Sequence, residues 1–319
     1  MMPQDPPRLI DFHSHYYDEG WLPLPVPQGT TGVARAWPML TNIEAQLAAM
    51  DVAGIDAKVI SAPASTIVSP VEQLPLILME RINDQIATLV DRYPDRLLGL
   101  ATIDAFQGKA AAREVVRAIK TLHLRGICID CSQGGHYLDA NEARPVLEMA
   151  AELGITIFVH PVSPAGLTER LSHLGHTGTL LARGTENAAS ILSLLRSGIL
   201  DKYPNLRIVL PMIGIASLFF SGIAEHEYRR ADNWKGSSPA ELRKNLYIDT
   251  MGFDIPTLRF AIDLLGPEHV LIGSDWPIMP ITTRRRVDEL LAILKLTEEQ
   301  KAAILSGNTE RLLTPLTSQ

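Results

Sequence analysis

Eight short β-branched or apolar runs alternate along this chain with longer segments of helical period. The predicted strands are Leu9–Phe12, Ala57–Ser61, Leu97–Ile103, Gly126–Ile129, Thr156–Val159, Arg207–Leu210, Leu246–Asp249 and Val270–Gly273. Eight strand-then-helix units predict an α/β fold, a single (β/α)8 TIM barrel over residues 1–319, with any metal site at its C-terminal face. An open doubly wound sheet is the rival, but no G-x-G-x-x-G follows the first strand.

The predicted helices between these strands are Ile43–Ala53, Leu74–Tyr93, Lys109–His123, Ala143–Leu153, Glu186–Tyr203, Leu218–Arg230, Pro256–Leu265 and Arg284–Leu294, with Glu298–Leu305 and Asn308–Leu313 closing the chain. Two connections, Tyr16–Asn42 and Ser163–Arg183, are longer than a plain turn requires. Both follow a strand, so in a barrel they shape the catalytic face.

Composition narrows the class of partner. With 46% apolar residues and 20% charged residues, the chain can bury a large core. A net charge of −7 argues against nucleic-acid and anionic-membrane partners. The nearly apolar run Ile208–Ala224 is interrupted by Pro and Gly, which favours a strand, a loop and a helix start over a membrane span.

Two further features predict a cytoplasmic protein. Met1–Arg8 has no apolar core of the kind that a signal peptide needs. The only cysteines, Cys128 and Cys131, are too few for a disulfide framework. Their C-x-x-C spacing allows a redox or zinc role, but buried reduced thiols are the favoured interpretation.

The first strand runs into Asp11-Phe12-His13-Ser14-His15. Residues two apart in a strand share a face, so His13 and His15 offer two imidazoles to one metal ion. Alone, the pair could equally be ordinary surface histidines.

Two other predicted strand ends carry the missing ligand types. The fifth strand runs into His160, and the eighth runs into Asp275. The carboxyl ends of barrel strands share one rim, so His13, His15, His160 and Asp275 are predicted to converge. Nitrogen and oxygen ligands suit one divalent ion, Zn²⁺ first, with Mn²⁺, Fe²⁺ and Co²⁺ as alternatives.

The chain resembles the amidohydrolase superfamily. Within it, the chain is most similar to the amidohydrolase-related family 2 branch, which includes aminocarboxymuconate semialdehyde decarboxylase and related aromatic acid decarboxylases. The resemblance runs almost end to end, through Ile10–Tyr16, Met50–Asp56, Tyr93–Arg96, Val159–Pro161, Ser197–Leu200, Tyr203-Pro204, Gly273–Pro277 and Gly307-Asn308. It implies a metal held by the four strand-end residues, and it suggests a homodimer.

One position departs from the family pattern. Family members usually carry a histidine just past strand six, and here Met212 occupies its place. A thioether cannot exchange a proton at neutral pH, so the usual proton-transfer role has moved or vanished. Asp275 is then the leading catalytic candidate, because one oxygen can bind metal while the other carries a proton.

The substrate-binding candidates are Trp276, Met212, Arg35 and Trp37. Trp276 follows a metal ligand, Met212 makes its wall of the pocket apolar, and Arg35 could pair with a carboxylate. Met39 and Phe219 are further pocket candidates, and His136, His173 and His176 are weaker candidates for the rim.

These features predict a metal-dependent enzyme acting on a small aromatic or unsaturated cyclic carboxylic acid. Non-oxidative decarboxylation is the leading reaction, and hydrolysis of a cyclic amide or lactone is the alternative. A hydratase, or a catalytically impaired barrel that only binds ligands, is a further alternative because of Met212.

Overall fold

The computed structural model describes residues 7–21, 32–230, 234–252 and 254–314. Eight strands form its central sheet: β1 (Ile10–His15), β2 (Ala57–Ser61), β3 (in two pieces, Leu97–Gly99 and Ala101–Thr102), β4 (Gly126–Asp130), β5 (Thr156–His160), β6 (Arg207–Leu210), β7 (Leu246–Asp249) and β8 (Val270–Leu271). Each strand lies within a segment that the sequence predicted, give or take three residues at an end.

The strands pair in parallel and close into a ring. One ladder runs β1-β2-β3 and the other β3-β4-β5-β6-β7-β8, joined through the two pieces of β3. The remaining seam lies between β8 and β1, where Phe12 N donates to Ile272 O at 2.7 Å and Ser14 bridges Trp276. The predicted barrel is confirmed.

Helices surround the strands. They are α1 (Gly32–Leu40), α2 (Ile43–Ala53), α3 (Ala64–Ile67), α4 (Leu76–Arg92), α5 (Lys109–Lys120), α6 (Arg144–Leu153), α7 (Leu167–Arg170), α8 (His176–Ser197), α9 (Ile199–Lys202), α10 (Ala216–Arg230), α11 (Pro239–Asn245), α12 (Ile255–Leu265), α13 (Arg284–Ile293), α14 (Glu298–Ala302) and α15 (Asn308–Leu312). Local chemistry sets several ends: Asn42 caps α2, and left-handed Gly54 and Gly154 end α2 and α6.

The two long connections contain more helix than the sequence predicted. In the first, a short 3-10 turn (Glu19–Trp21) and α1 flank residues 22–31, which lie outside the described residues. In the second, α7 and a 3-10 turn precede α8, which begins at His176 rather than at the predicted Glu186. None of the described helices combines the length and apolar character of a membrane span.

Apolar residues pack in two layers. The larger layer lies mainly between strands and helices. The smaller, which we call the barrel-interior cluster, contains Ile10, Phe12, Ala57, Val59, Leu100, Cys128, Phe158, Val209, Leu271, Leu312 and Leu313. It fills the barrel beneath the histidines, since the His13 ring lies 4.8 Å from the Phe158 ring.

A register shift in β1 aims the histidines inward. Asp11 pairs with Lys58, but Ser14 pairs with Ile60, so two β1 residues lie opposite one residue of β2. Such a bulge re-aims side chains. Phe12 therefore packs in the barrel-interior cluster, and His13 beside it also faces the interior. Simple alternation would have placed these two neighbours on opposite faces.

Gly273 leaves room for this arrangement just after β8. A Cβ atom added there would lie 2.7 Å from Asp249 Cβ and 2.8 Å from His13 Cβ. Both neighbours are fully buried, so they cannot move aside without disturbing the strands.

We therefore expect Gly273→Ala to lower the free energy of unfolding by about 1–3 kcal/mol, the usual range for overpacking. Urea denaturation measures this change. Gly222→Ala is the matched control, because Gly222 lies in α10 with nothing within 4 Å of an added Cβ. That control should be neutral or stabilising by up to about 1 kcal/mol, and equal stability changes in the two variants would contradict the packing account.

Candidate metal centre and active site

Three buried histidines meet at the carboxyl ends of β1 and β5. His13, His15 and His160 each offer a ligand atom, and these atoms lie within 4.8 Å of one another. Their side chains are nearly inaccessible. Among the described residues, His13 Nε2 and His160 Nδ1 are buried without a hydrogen-bond partner. A buried polar atom left unpaired is costly unless something else, such as a metal ion, binds it.

Asp275 adds a carboxylate to this cluster. Its Oδ1 lies 3.1 Å from His15 Nε2 and 3.4 Å from His13 Nε2. Two imidazole nitrogens therefore converge on one carboxylate oxygen. Asp275 has a positive φ of 62°, a strained conformation for a residue with a side chain, and its N–H donates to His13 O at 2.8 Å.

The charge states of His15, His160 and Asp275 suit a bound cation. Burial lowers the pKa of His15, and burial with the nearby Arg183 lowers the pKa of His160 further. Both rings are then neutral at pH 7, as metal ligands must be. Burial raises the pKa of Asp275, but His13 and His15 outweigh it, so the net direction is downward and the group is anionic.

His13 is oriented by a carboxylate that the sequence analysis missed. Asp249, at the end of β7, accepts a hydrogen bond from His13 Nδ1 at 2.6 Å. Burial lowers the pKa of His13, but Asp249 and Asp275 raise it overall. With the proton held at Nδ1, the Nε2 lone pair faces the cluster. The strand-end rule that selected His160 would have selected Asp249 as well.

The Asp249 carboxylate also fixes the segment that follows β6. Its Oδ1 accepts hydrogen bonds from the backbone N–H groups of Met212 and Met251, each at 2.9 Å. Met212, in the 3-10 turn Met212–Ile215, is buried. One carboxylate thus connects the ring of His13 to the backbone of Met212.

Hydrogen bonds to Asp11 of β1 hold the loop that carries Asp275. Asp11 accepts hydrogen bonds from the Ser274 N–H and hydroxyl, and burial raises the pKa of Asp11 to about 6. Burial also lowers the pKa of the adjacent Lys58 to about 7. Lys58 bonds to Gln46 of α2, and its Nζ lies 4.9 Å from the centre of the Trp276 ring.

Asp130, at the end of β4, lies beside His160. Its Oδ1 is 3.8 Å from His160 Nδ1, and it accepts hydrogen bonds from the Ser65 N–H and hydroxyl, both at 2.7 Å. Burial raises the pKa of Asp130 to about 7. It is a second strand-end carboxylate that the sequence analysis did not select.

The four predicted substrate-binding residues are not all beside the histidines. The Met212 backbone is connected to His13 through the Asp249 carboxylate, and Trp276 is buried with Lys58 Nζ over its ring. Trp37 is half-buried on α1, where it packs against the larger apolar layer. Arg35 is exposed on the same helix. Substrate contact by these four stays a prediction.

Several weaker candidates lie away from the cluster. Phe219 is 70% exposed on α10, so it does not line the barrel. His136, His173 and His176 are also exposed. Both cysteines, Cys128 and Cys131, are buried and free of disulfides, as predicted.

Comparisons with known proteins agree with this geometry. A family model described as amidohydrolase matches residues 10–314. The chain belongs to the amidohydrolase family. It is 27% identical over 242 residues to the 2-amino-3-carboxymuconate-6-semialdehyde decarboxylase of Dictyostelium discoideum, covering 75% of this chain and 67% of that one. It is 28% identical over 250 residues to the gamma-resorcylate decarboxylase of Polaromonas sp. (strain JS666), covering 73% and 74%.

A solved structure shows the same fold. The dihydroxybenzoic acid decarboxylase from Polaromonas sp. JS666, with bound manganese and the inhibitor 2-nitroresorcinol, superposes with a TM-score of 0.78. The alignment covers 96% of this chain and 97% of that one at 24% identity. Family membership and the histidine cluster together support a divalent metal in this amidohydrolase.

We expect Asp249→Asn to weaken metal binding by about 10- to 100-fold, the usual cost of removing a carboxylate that orients a ligating histidine. The asparagine amide can present a donor to Nδ1 and so favour the wrong tautomer of His13. Metal affinity is measured by competition with a chromogenic chelator.

Asp263→Asn serves as the control, because Asp263 is an exposed carboxylate on α12. It should bind metal like the unmodified protein. Unchanged affinity in Asp249→Asn would show that Asp249 does not act on the metal site.

Proposed function

We propose that this amidohydrolase is a metal-dependent, non-oxidative decarboxylase of a small aromatic or unsaturated cyclic carboxylic acid. The observation that carries the proposal is a cluster of three buried imidazoles at the barrel mouth, two of which lie within 3.4 Å of the Asp275 carboxylate. The relatives named above, decarboxylases of aromatic or unsaturated acids, support it.

His13, His15, His160 and Asp275 are the proposed metal ligands. Three nitrogens and one oxygen suit Zn²⁺, which we propose as the resident ion, while manganese in the structural neighbour makes Mn²⁺ the main competitor. When bound, the ion supplies positive charge that attracts the substrate carboxylate and an adjacent ring oxygen. Among the four proposed ligands only Asp275 carries a negative charge, so most of the charge of the ion remains available to the substrate.

Asp275 is the proposed proton carrier. It is anionic at neutral pH, so it first accepts a proton from a substrate hydroxyl group. It then gives that proton to the ring carbon that bears the carboxylate. The bond to the carboxyl carbon breaks, its electron pair returns to the ring, and carbon dioxide leaves. The product oxygen, left deprotonated, then takes up a solvent proton, so the net reaction consumes one proton for each carboxylate lost.

Met212 makes an imidazole-assisted route unavailable at its position. Its side chain is buried, its backbone N–H donates to the carboxylate that orients His13, and a thioether neither donates nor accepts a proton usefully. An apolar group there favours the hydrocarbon face of a ring. The same anionic Asp275 could instead act as general base toward a cyclic amide or lactone, so hydrolysis is the second candidate function.

We also propose that the chain acts as one barrel domain over residues 1–319, in the cytoplasm, as a homodimer. Two buried free thiols suit a reducing compartment. Helix α10 exposes the apolar side chains of Phe219, Phe220 and Ile223. A subunit interface in the homodimer would bury them.

The reaction is tested with a panel of hydroxybenzoic acids in heavy water. We expect release of carbon dioxide and one deuteron at the vacated ring carbon, and no incorporation of labelled solvent oxygen. Chelation should abolish turnover, and Zn²⁺ or Mn²⁺ should restore it. Solvent oxygen appearing in the product of a cyclic amide or lactone, without decarboxylation of any acid, would favour hydrolysis instead.

The assignment of proton transfer is tested with Met212→His. Because Asp275 carries the proton, we expect no increase in kcat, while the added polar ring should raise KM for an aromatic acid. Met212→Leu is the control, since leucine keeps the wall apolar at similar volume, and it should behave like the unmodified enzyme. A gain in kcat of about tenfold, or roughly 1.4 kcal/mol of barrier, would contradict the assignment.

A further inference from the structure

Arg183 places a cation beside the histidine cluster. It lies near the start of α8, half-buried, with Nη2 at 3.4 Å from His160 Nε2. Its charge lowers the pKa of His160 and contributes to the lowered pKa of Asp275. The guanidinium is therefore close enough to act on whatever binds at the cluster.

The structure holds this part of α8 firmly against the barrel. Asn187 Nδ2 donates to Val159 O at 3.0 Å, which attaches the helix to β5 one residue before His160. A Cβ on Gly184 would lie 2.4 Å from Ile213 O, so the glycine permits α8 to lie directly on the turn that begins with Met212. Arg183 is positioned by a packed helix and not by a mobile loop.

Arg183 lacks a carboxylate partner of its own. Among the described residues its side-chain contact is the one with His160, and no carboxylate oxygen lies within ion-pair distance. By contrast, Arg117 bonds to Glu114 and Asp84, Arg96 pairs with Asp51, and Arg207 and Arg243 bond to carbonyl or hydroxyl oxygens. A guanidinium that lies beside the histidine cluster without a carboxylate in ion-pair contact is available to an anionic ligand.

We propose that Arg183 binds the carboxylate of the substrate and so makes the site selective for acids over neutral rings. This inference rests on the proposed function, because it names the group that recognises the substrate of the same site. A planar guanidinium can hold a carboxylate through two parallel hydrogen bonds, which fixes its orientation as well as its charge. Arg183 is thus a specificity-determining residue.

The test compares two probes of similar size and shape, salicylate with its anionic carboxylate and salicylamide with an uncharged carboxamide in its place. Their binding to zinc-loaded protein is measured by isothermal titration calorimetry. We expect the unmodified protein to prefer salicylate, and Arg183→Met to bind salicylate about 10- to 100-fold more weakly, the range for losing charge-assisted hydrogen bonds. Affinity for salicylamide should change by less than about threefold, because a neutral ligand lacks the charge term.

Two further variants and a measurement of zinc content serve as controls. Arg170→Met removes an exposed arginine of α7 and should change neither affinity. Arg183→Lys keeps the charge but loses the planar guanidinium, so its affinity for salicylate should lie between those of the unmodified protein and Arg183→Met. If Arg183→Met fails to fold, Arg183→Lys still tests the inference, because it should bind salicylate more weakly than the unmodified protein does. Zinc content is measured in each variant and should stay at that of the unmodified protein.

Several results would overturn the inference. They are equal affinity for salicylate and salicylamide in the unmodified protein, unchanged salicylate binding in Arg183→Met and Arg183→Lys, or equal losses for both probes. A failure of the proposed function can be distinguished from a failure of the inference about Arg183. If no acid is decarboxylated but the charge selectivity depends on Arg183, only the reaction is wrong. If acids are decarboxylated and Arg183→Met leaves their KM unchanged, only this inference is wrong.

Discussion

The hydrogen bond between His13 Nδ1 and Asp249 Oδ2 joins the first strand of the barrel to the seventh. It sets the tautomer of one proposed ligand, and the same carboxylate fixes the backbone of Met212. Because all three groups are buried, none can be exchanged with water at low cost. The orientation of the His13 ring and the position of the Met212 backbone therefore depend on one carboxylate.

The strand ends were predictable because a parallel barrel converts sequence position into spatial position. Each strand ends at the same rim, so His13, His15, His160 and Asp275 could be grouped without coordinates. The β1 bulge could not be predicted, since it depends on pairing with β2 and not on the β1 sequence alone. The same limit applies to the helices found inside the long connections.

Arg183 was missed for a different physical reason. Arg183 ends the predicted connection Ser163–Arg183, because the glycines before Glu186 weaken a helical pattern. Tertiary packing overrides that propensity: buried Gly178 and Gly184 let α8 approach its neighbours closely. Helix spacing from Arg183 to Glu186 and Asn187 would have revealed a polar face directed at the barrel.

The bulge in β1 means that the pairing register of that strand, as well as its composition, decides which side chains face the barrel interior. Ile10 and Phe12 supply apolar packing below, and His13 and His15 supply nitrogen above, because one extra residue changes the phase between them. Substitutions along the strand alter one contact at a time. Pairing with β2 without the bulge would restore simple alternation, so the neighbouring rings of Phe12 and His13 could no longer both face the barrel axis.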